Sequence, residues 1–172
     1  MNKIKIMAIV GKSGAGKDYF LKQTAQTNNY HIIISSTTRP KREYEKEGVD
    51  YHFLSYEEFA ASRFLESTTF NNWHYGTRYE DLDPNRTNIG VFNPAGIKAL
   101  AAHPDIDLEI VYVKASDKTR LLRQLNREEN PNVKEIVRRF MTDEADFQDD
   151  KSFINLTKDY YEIWNDDRVG QS

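Results

Sequence analysis

The chain contains no cysteine. That absence excludes a disulfide framework, a thiolate nucleophile and any zinc site built on sulfur. Long apolar runs are missing as well: no stretch approaches the roughly 20 residues of a membrane-spanning helix, and the N-terminus has no signal-peptide pattern. A cytoplasmic protein without membrane contact is expected. Histidine is scarce, and His31, His52, His74 and His103 show no metal-ligand spacing. The net charge of −3 gives no global attraction to nucleic acid. There is no internal repeat and no low-complexity segment. What remains is a chain of 172 residues with ordinary apolar content, enough for one domain with a full core.

The most informative stretch is Gly11-Lys12-Ser13-Gly14-Ala15-Gly16-Lys17-Asp18. It follows the apolar run Ile4–Val10 and precedes Tyr19-Phe20-Leu21-Lys22, which reads as the start of a helix. This is the spacing of the phosphate-binding loop G-x-x-x-x-G-K-[ST], in the strand–loop–helix context the motif requires. Gly11, Gly14 and Gly16 allow the backbone to curl so that successive N–H groups point inward. Lys17 adds a point charge, and the helix N-terminus adds partial positive charge. The final position departs from the pattern, with Asp18 where a hydroxyl ordinarily faces Mg²⁺. The plainer alternative is a glycine-rich turn capped by an aspartate.

Along the rest of the chain, Ile4–Val10 predicts a central strand buried on both faces, and the β-branched run 30–35 predicts a second strand. The intervening helix-sized segment makes this a right-handed parallel crossover. From 36 to about 86 the sequence turns polar and aromatic, with short apolar pieces and a short helix at 56–62, as expected of an inserted lobe. Residues 88–93 return to the sheet, and Pro94 opens a helix carrying Ile97 and Leu100. Residues 108–113 form a further strand. A helix over 116–127 places Leu121, Leu122 and Leu125 on one face and Arg120, Arg123 and Arg127 on another. A second helix, 133–141, has the apolar stripe Val133, Ile136, Val137, Phe140 and Met141, leaving Arg138 and Arg139 off it. The polar segment Glu128-Glu129-Asn130-Pro131-Asn132 between them reads as a hinge. A short strand at Phe153-Ile154-Asn155, a final helix over 158–164 and a frayed tail at 169–172 complete the expectation.

A second run carries chemistry: Ser35-Ser36-Thr37-Thr38-Arg39-Pro40-Lys41-Arg42, then Glu45, then Gly48-Val49-Asp50-Tyr51-His52-Phe53. Two arginines on a loop stiffened by proline can grip a dianionic phosphate. Tyr51 could add a phenolic donor. A solvated basic turn is the alternative for this run taken alone.

With Phe64-Leu65-Glu66 and Tyr75-Gly76-Thr77, the segment resembles the nucleotide-monophosphate lobe of guanylate kinases, which reads S-x-T-T-R-x-P-R-x-x-E, D-Y-x-F, F-x-E and Y-G-[ST]. Order and spacing match apart from a shorter segment before Phe64. With the phosphate loop and the arginine helix, the resemblance covers most of residues 4–156. It implies an α/β fold of the P-loop type: three layers around a central parallel sheet, an inserted monophosphate-binding lobe and a helical lid. The chain would then be a single domain over 1–172, with its core at 1–35, 88–127 and 142–172, its lobe at 36–87 and its lid at about 128–141. It further implies ATP-dependent phosphoryl transfer to GMP or dGMP, with Mg²⁺ as cofactor, by a monomer or homodimer.

The resemblance also implies roles. Gly11, Ser13, Gly14, Ala15, Gly16, Lys17 and Asp18 would hold ATP, with Asn155 near the donor nucleotide. Arg39, Arg42, Tyr51 and Tyr75 would hold the acceptor phosphate, with Glu45 and Gly76 in the same site. Ser35, Glu66 and Thr77 would read the base. Guanine presents N1–H and its 2-amino group side by side, and one ionised carboxylate accepts both. Lys17, Arg39, Arg123, Arg127 and Arg139 (or its neighbour Arg138) would place positive charge on the migrating phosphoryl group.

Two departures stand out. The family's acidic pair after the third core strand is replaced by Val91-Phe92-Asn93-Pro94-Ala95-Gly96, and the loop has gained Asp18. Asp18 is therefore the candidate Mg²⁺ ligand, with Asp81 and Asp83 as further carboxylates that spacing does not place. Two alternatives go with the leading reading. One is a non-catalytic phosphopeptide-docking module of the same fold; the other is a kinase for another nucleotide or sugar phosphate.

Overall fold

The computed structural model describes residues 2–166. Strand β1 (Ile4–Val10) runs into the glycine loop and helix α1 (Lys17–Thr24), followed by β2 (Tyr30–Ile32). After the intervening lobe come β7 (Thr87–Val91), α3 (Pro94–Ala101), β8 (Ile106–Lys114), α4 (Asp117–Asn126), α5 (Val133–Asp146) and β9 (Asp159–Trp164). The main sheet has five strands in the order β2-β7-β1-β8-β9, and every pairing is parallel.

The alternation of β1 explains the layers. Ile6, Ala8 and Val10 face one side, packing with Ile97 and Leu100 of α3 and with Phe147 and Phe153; Met7 and Ile9 face the other, against Phe20 and Leu21 of α1. Both faces are covered from Ile6 to Val10, where β1 is apolar and buried; Lys5, near its start, is exposed. Asn93 caps α3 by accepting the Gly96 N–H at 2.8 Å, and Pro94 occupies the first helical position.

The lobe is a second sheet of four strands in the order β4-β3-β6-β5. Its strands are β3 (Ser36–Thr37), β4 (His52–Phe53), β5 (Phe64–Phe70) and β6 (Trp73–Arg78), with helix α2 (Tyr56–Ala61) before the last two. Asn71 and Asn72 join β5 to β6 at φ of 51° and 66°, values that asparagine tolerates and a tight hairpin demands.

Several expectations are corrected. The second strand stops at Ile32 rather than Ser35, although Ile33 still donates its N–H to Ile89. The sheet re-entry ends at Val91, because Asn93 is drawn off as a helix cap. Residues 153–155 are not a strand but part of a 3-10 turn, Asp150–Asn155. That turn buries Phe153 against Tyr112 and Phe147 and leaves Ile154 exposed. Residues 159–164 are not a helix but β9, paired along the edge of β8. The i, i+3, i+4 spacing of Tyr160, Ile163 and Trp164 mimics a helix, but aromatic and β-branched residues beside an open strand edge favour the sheet. Helix α5 continues unbroken past Met141 to Asp146. Its apolar stripe is not a core face, since Val133, Val137 and Met141 are exposed. On α4, Leu122, expected on the apolar face, is exposed, while Arg120 is 1% exposed. The expected frayed tail at 169–172 lies outside the described residues.

Candidate active site

The loop sits at the carboxyl end of β1, where open parallel sheets place their ligand crevice. Gly14 and Gly16 have φ of 80° and 95°, the left-handed region that glycine enters without cost. Crowding adds a second reason: a Cβ on Gly14 would lie 2.6 Å from the Arg120 carbonyl oxygen. Helix α1 starts directly after Gly16, so Lys17 and Asp18 occupy its first turn. Lys17 folds back on the loop, donating from Nζ to the Gly11 carbonyl at 2.5 Å. Burial lowers its pKa, and the charges of Asp143 and Asp18 oppose that effect. Asp18 is exposed.

The loop's outer carbonyls need donors, and distant residues supply them. Arg123 donates to the Gly14 carbonyl at 3.0 Å and also to that of Asn165. Asn165 Nδ2 donates to the Ala15 carbonyl at 3.0 Å. The guanidinium of Arg120 lies over the Phe140 ring, 4.4 Å from its centroid, beside Asp117 at 3.0 Å and Glu144 at 3.4 Å. Helix α5 also reaches the loop: Ser13 N–H donates to Asp143 at 2.8 Å, and Lys12 pairs with Glu144 at 2.7 Å. Arg127 is exposed at the end of α4. Arg139 is exposed on α5, close enough for its charge to act on Lys17, whereas Arg138 is paired with Glu135. Asn155 is exposed at the end of the 3-10 turn. The asparagine that contacts the loop is Asn165, which sequence reasoning missed. The available signal was the polar Asn165-Asp166 pair directly after an aromatic run that reads equally well as a strand.

The second element of the site is a cavity of about 250 Å³ between lobe and core. Ser35, Tyr51, Glu66, Tyr75 and Gly76 of the expected set line it. Thr68, Val91, Phe92 and Asn93, none of them expected in an acceptor site, line it too. Thr77 is fully buried and donates its hydroxyl to Glu66 at 2.8 Å. Burial holds the Glu66 pKa above the usual carboxylate range, and the Thr77 bonds oppose that rise.

Arg39 and Glu45 form a bidentate pair. Glu45 also accepts the Arg42 N–H at 2.8 Å, and the Arg39 hydrogen bond holds its pKa down to about 2. Glu45 is thus placed as the orienting partner of Arg39. The Arg42 side chain is exposed and donates to the Tyr44 hydroxyl at 3.2 Å. The arrangement as a whole offers an anion cradle with a lysine, a half-buried carboxylate fit for a paired donor, and a braced guanidinium next to Tyr51.

A family model for guanylate kinase matches residues 3–159 of this chain. The guanylate kinase of Wigglesworthia glossinidia brevipalpis is 31% identical over 179 residues, covering 96% of this chain and 86% of that protein. The guanylate kinase of Schizosaccharomyces pombe is 30% identical over 156 residues, covering 85% and 77%. Among solved structures, guanylate kinase from Anaplasma phagocytophilum superposes with a TM-score of 0.62 at 19% identity, covering 96% of this chain and 79% of that one. At that identity the superposition speaks for the fold.

Proposed function

The chain belongs to the guanylate kinase family, and we propose that it transfers the terminal phosphoryl group of ATP to GMP, giving GDP and ADP. The observation that carries this reading is the pairing of two unlike sites. A glycine loop with Lys17 ends β1, and a separate lobe holds the half-buried Glu66 carboxylate in a cavity.

The chemistry follows from charge and position. An acceptor phosphate oxygen attacks the terminal phosphorus of ATP as the bond to the ADP oxygen breaks. Little covalent help is needed, so in-line placement and positive charge supply the acceleration. In our reading Arg39, braced by Glu45, orients the acceptor phosphate, with Arg42, Tyr51 and Tyr75 beside it. Glu66, held by Thr77, accepts the guanine donor pair; adenine would leave that carboxylate unpaired and be rejected. Lys17 and the loop N–H groups hold the donor phosphates, and Arg123, Arg127 and Arg139 add charge. The lobe (36–87) and the lid (about 128–141) close to exclude water, which would otherwise accept the phosphoryl group.

Mg²⁺ ordinarily binds through one or two carboxylates together with substrate phosphates and water. Asp18, exposed in the first turn of α1 beside Lys17, fits as that single carboxylate. When bound with ATP, the ion neutralises phosphate charge. Among the described residues no helix is long and apolar enough to cross a membrane. Our reading puts the enzyme in the cytoplasm, as a monomer or homodimer.

The test is a coupled assay with ATP and Mg²⁺ against every ribo- and deoxynucleoside monophosphate. Turnover confined to GMP and dGMP is expected. Absence of turnover with any acceptor would overturn the reading in favour of a docking module.

A further inference from the structure

The phosphate loop already holds an anion. Ser13 N–H donates to Oδ2 of Asp143, which arrives from α5, 130 positions later in the chain. The side chain of Asp143 is 16% exposed, and Arg120 flanks it at 3.9 Å. Among the charges acting on Lys17, that of Asp143 ranks first, ahead of its own neighbour Asp18. A loop of inward N–H groups beside an ammonium selects negative oxygen atoms, whether from phosphate or carboxylate. Glu144, the next residue, does not compete for the same donor, because it is paired with Lys12 and Arg120.

We propose that Asp143 is an internal stand-in for phosphate, holding the Ser13 N–H until a donor phosphate displaces it. The inference rests on reading this loop as the donor site. Displacement has a mechanical consequence. Arg139 lies one turn before Asp143 on the same face of α5, at i and i+4. Exchanging the carboxylate for a phosphate therefore releases one of the ties between the loop and the helix that carries a charge-supplying arginine, the pairs of Glu144 with Lys12 and Arg120 remaining. Donor binding and lid position become one event, at the expense of donor affinity.

The test uses the full chain, metal-free buffer and inorganic pyrophosphate, with binding measured by calorimetry. Asp143→Asn and Asp143→Ala are expected to bind pyrophosphate about tenfold more tightly than the unaltered protein, a difference of about 1.4 kcal/mol. Asp18→Asn is the charge control: it removes a negative charge near Lys17 without emptying the Ser13 donor, and its gain should be clearly smaller. Unchanged or weaker binding in both Asp143 variants overturns the proposal. So does an equal gain from Asp18→Asn, since charge alone would then explain it. The unaltered protein gives a reading independent of variant folding. Saturating pyrophosphate should shift the Ser13 amide and Asp143 carboxyl NMR resonances together, and a stationary Asp143 resonance overturns the proposal. Because these measurements need no turnover, they fail or succeed separately from the kinase assay.

Discussion

The guanidinium of Arg39 and the carboxylate of Glu45 face each other through two parallel hydrogen bonds of 2.8 Å, with side chains 12% and 7% exposed. Arg39 also lies 5.4 Å from the centroid of the Tyr51 ring, which lines the cavity between lobe and core. The pair explains how a long, flexible side chain can be aimed before any acceptor arrives.

Glu45→Gln replaces the charged fork with a weaker, partly mismatched one, so the acceptor KM is expected to rise about tenfold with a smaller change in kcat. The substitution also has a pH signature. Glu45 falls from an ordinary value of 4.5 to about 2 in the folded chain. Its stabilising contribution is therefore complete above pH 4.5 and is lost as pH falls toward 2. Thermal melts of Glu45→Gln and the unaltered protein should differ at pH 6 and converge near pH 2.

For Glu66 the direction is opposite. Burial raises its pKa, so the ionised form that accepts guanine donors is lost at a higher pH than for an ordinary carboxylate. The acid limb of kcat/KM for GMP should reflect this titration, and Glu66→Gln should remove that component. Comparing the two proteins with the same acceptor cancels the acceptor's own phosphate titration. Glu66→Gln should also narrow the preference for GMP over AMP by about a hundredfold or more. An equal fall in rate for both acceptors would count against base reading.

Lys17→Ala separates an enzyme from a docking module. Removing the ammonium from the loop should lower kcat by about a hundredfold or more while GMP affinity changes little. Retained acceptor binding, measured by calorimetry, shows that the lobe is intact.

Arg120 tests the packing of α4, α5 and the loop. Its guanidinium is enclosed by the Phe140 ring and by carboxylates from both helices. Arg120→Ala removes the guanidinium from Asp117, leaves Glu144 with Lys12 alone and opens a cavity beside Phe140, and is expected to cost about 2–4 kcal/mol in urea denaturation. Arg120→Lys should recover only part of this, because an ammonium cannot reproduce the fork.

How much was legible in the chain varies from site to site. The loop 11–18 was readable because its chemistry is contiguous: a buried strand, glycines and a lysine are neighbours in the chain, and two of the three positive-φ glycines among the described residues, Gly14 and Gly16, are in it. The cavity between lobe and core was partly readable, because Ser35, Tyr51, Glu66 and Tyr75 carry a recognisable spacing, whereas Thr68, Val91 and Phe92 do not. The C-terminal region was misread. Residues 159–164 suit helix or strand about equally in isolation, and the open edge of β8 decides between them. With these residues read as a helix, nothing in the sequence points Asn165 at the loop 11–18, which it reaches from the end of β9.

By itself, then, the sequence determined a glycine loop with a lysine on a buried strand, the motifs of an inserted lobe carrying Glu66, and membership of the guanylate kinase family. These follow from local rules, namely glycine conformations, apolar alternation and the pairing chemistry of side chains near one another in the chain. Only the tertiary structure decided that Arg120 is buried, that Glu45 braces Arg39 and that Asp143 occupies the loop. The partners of Arg120 and Asp143 on the loop lie 107 and 130 positions away. A helical face of arginines and acids looks solvated until a loop with unpaired carbonyls and N–H groups is laid against it. The unmet hydrogen-bonding capacity of that loop, rather than the polarity of α4 and α5, selects which of their charges turn inward.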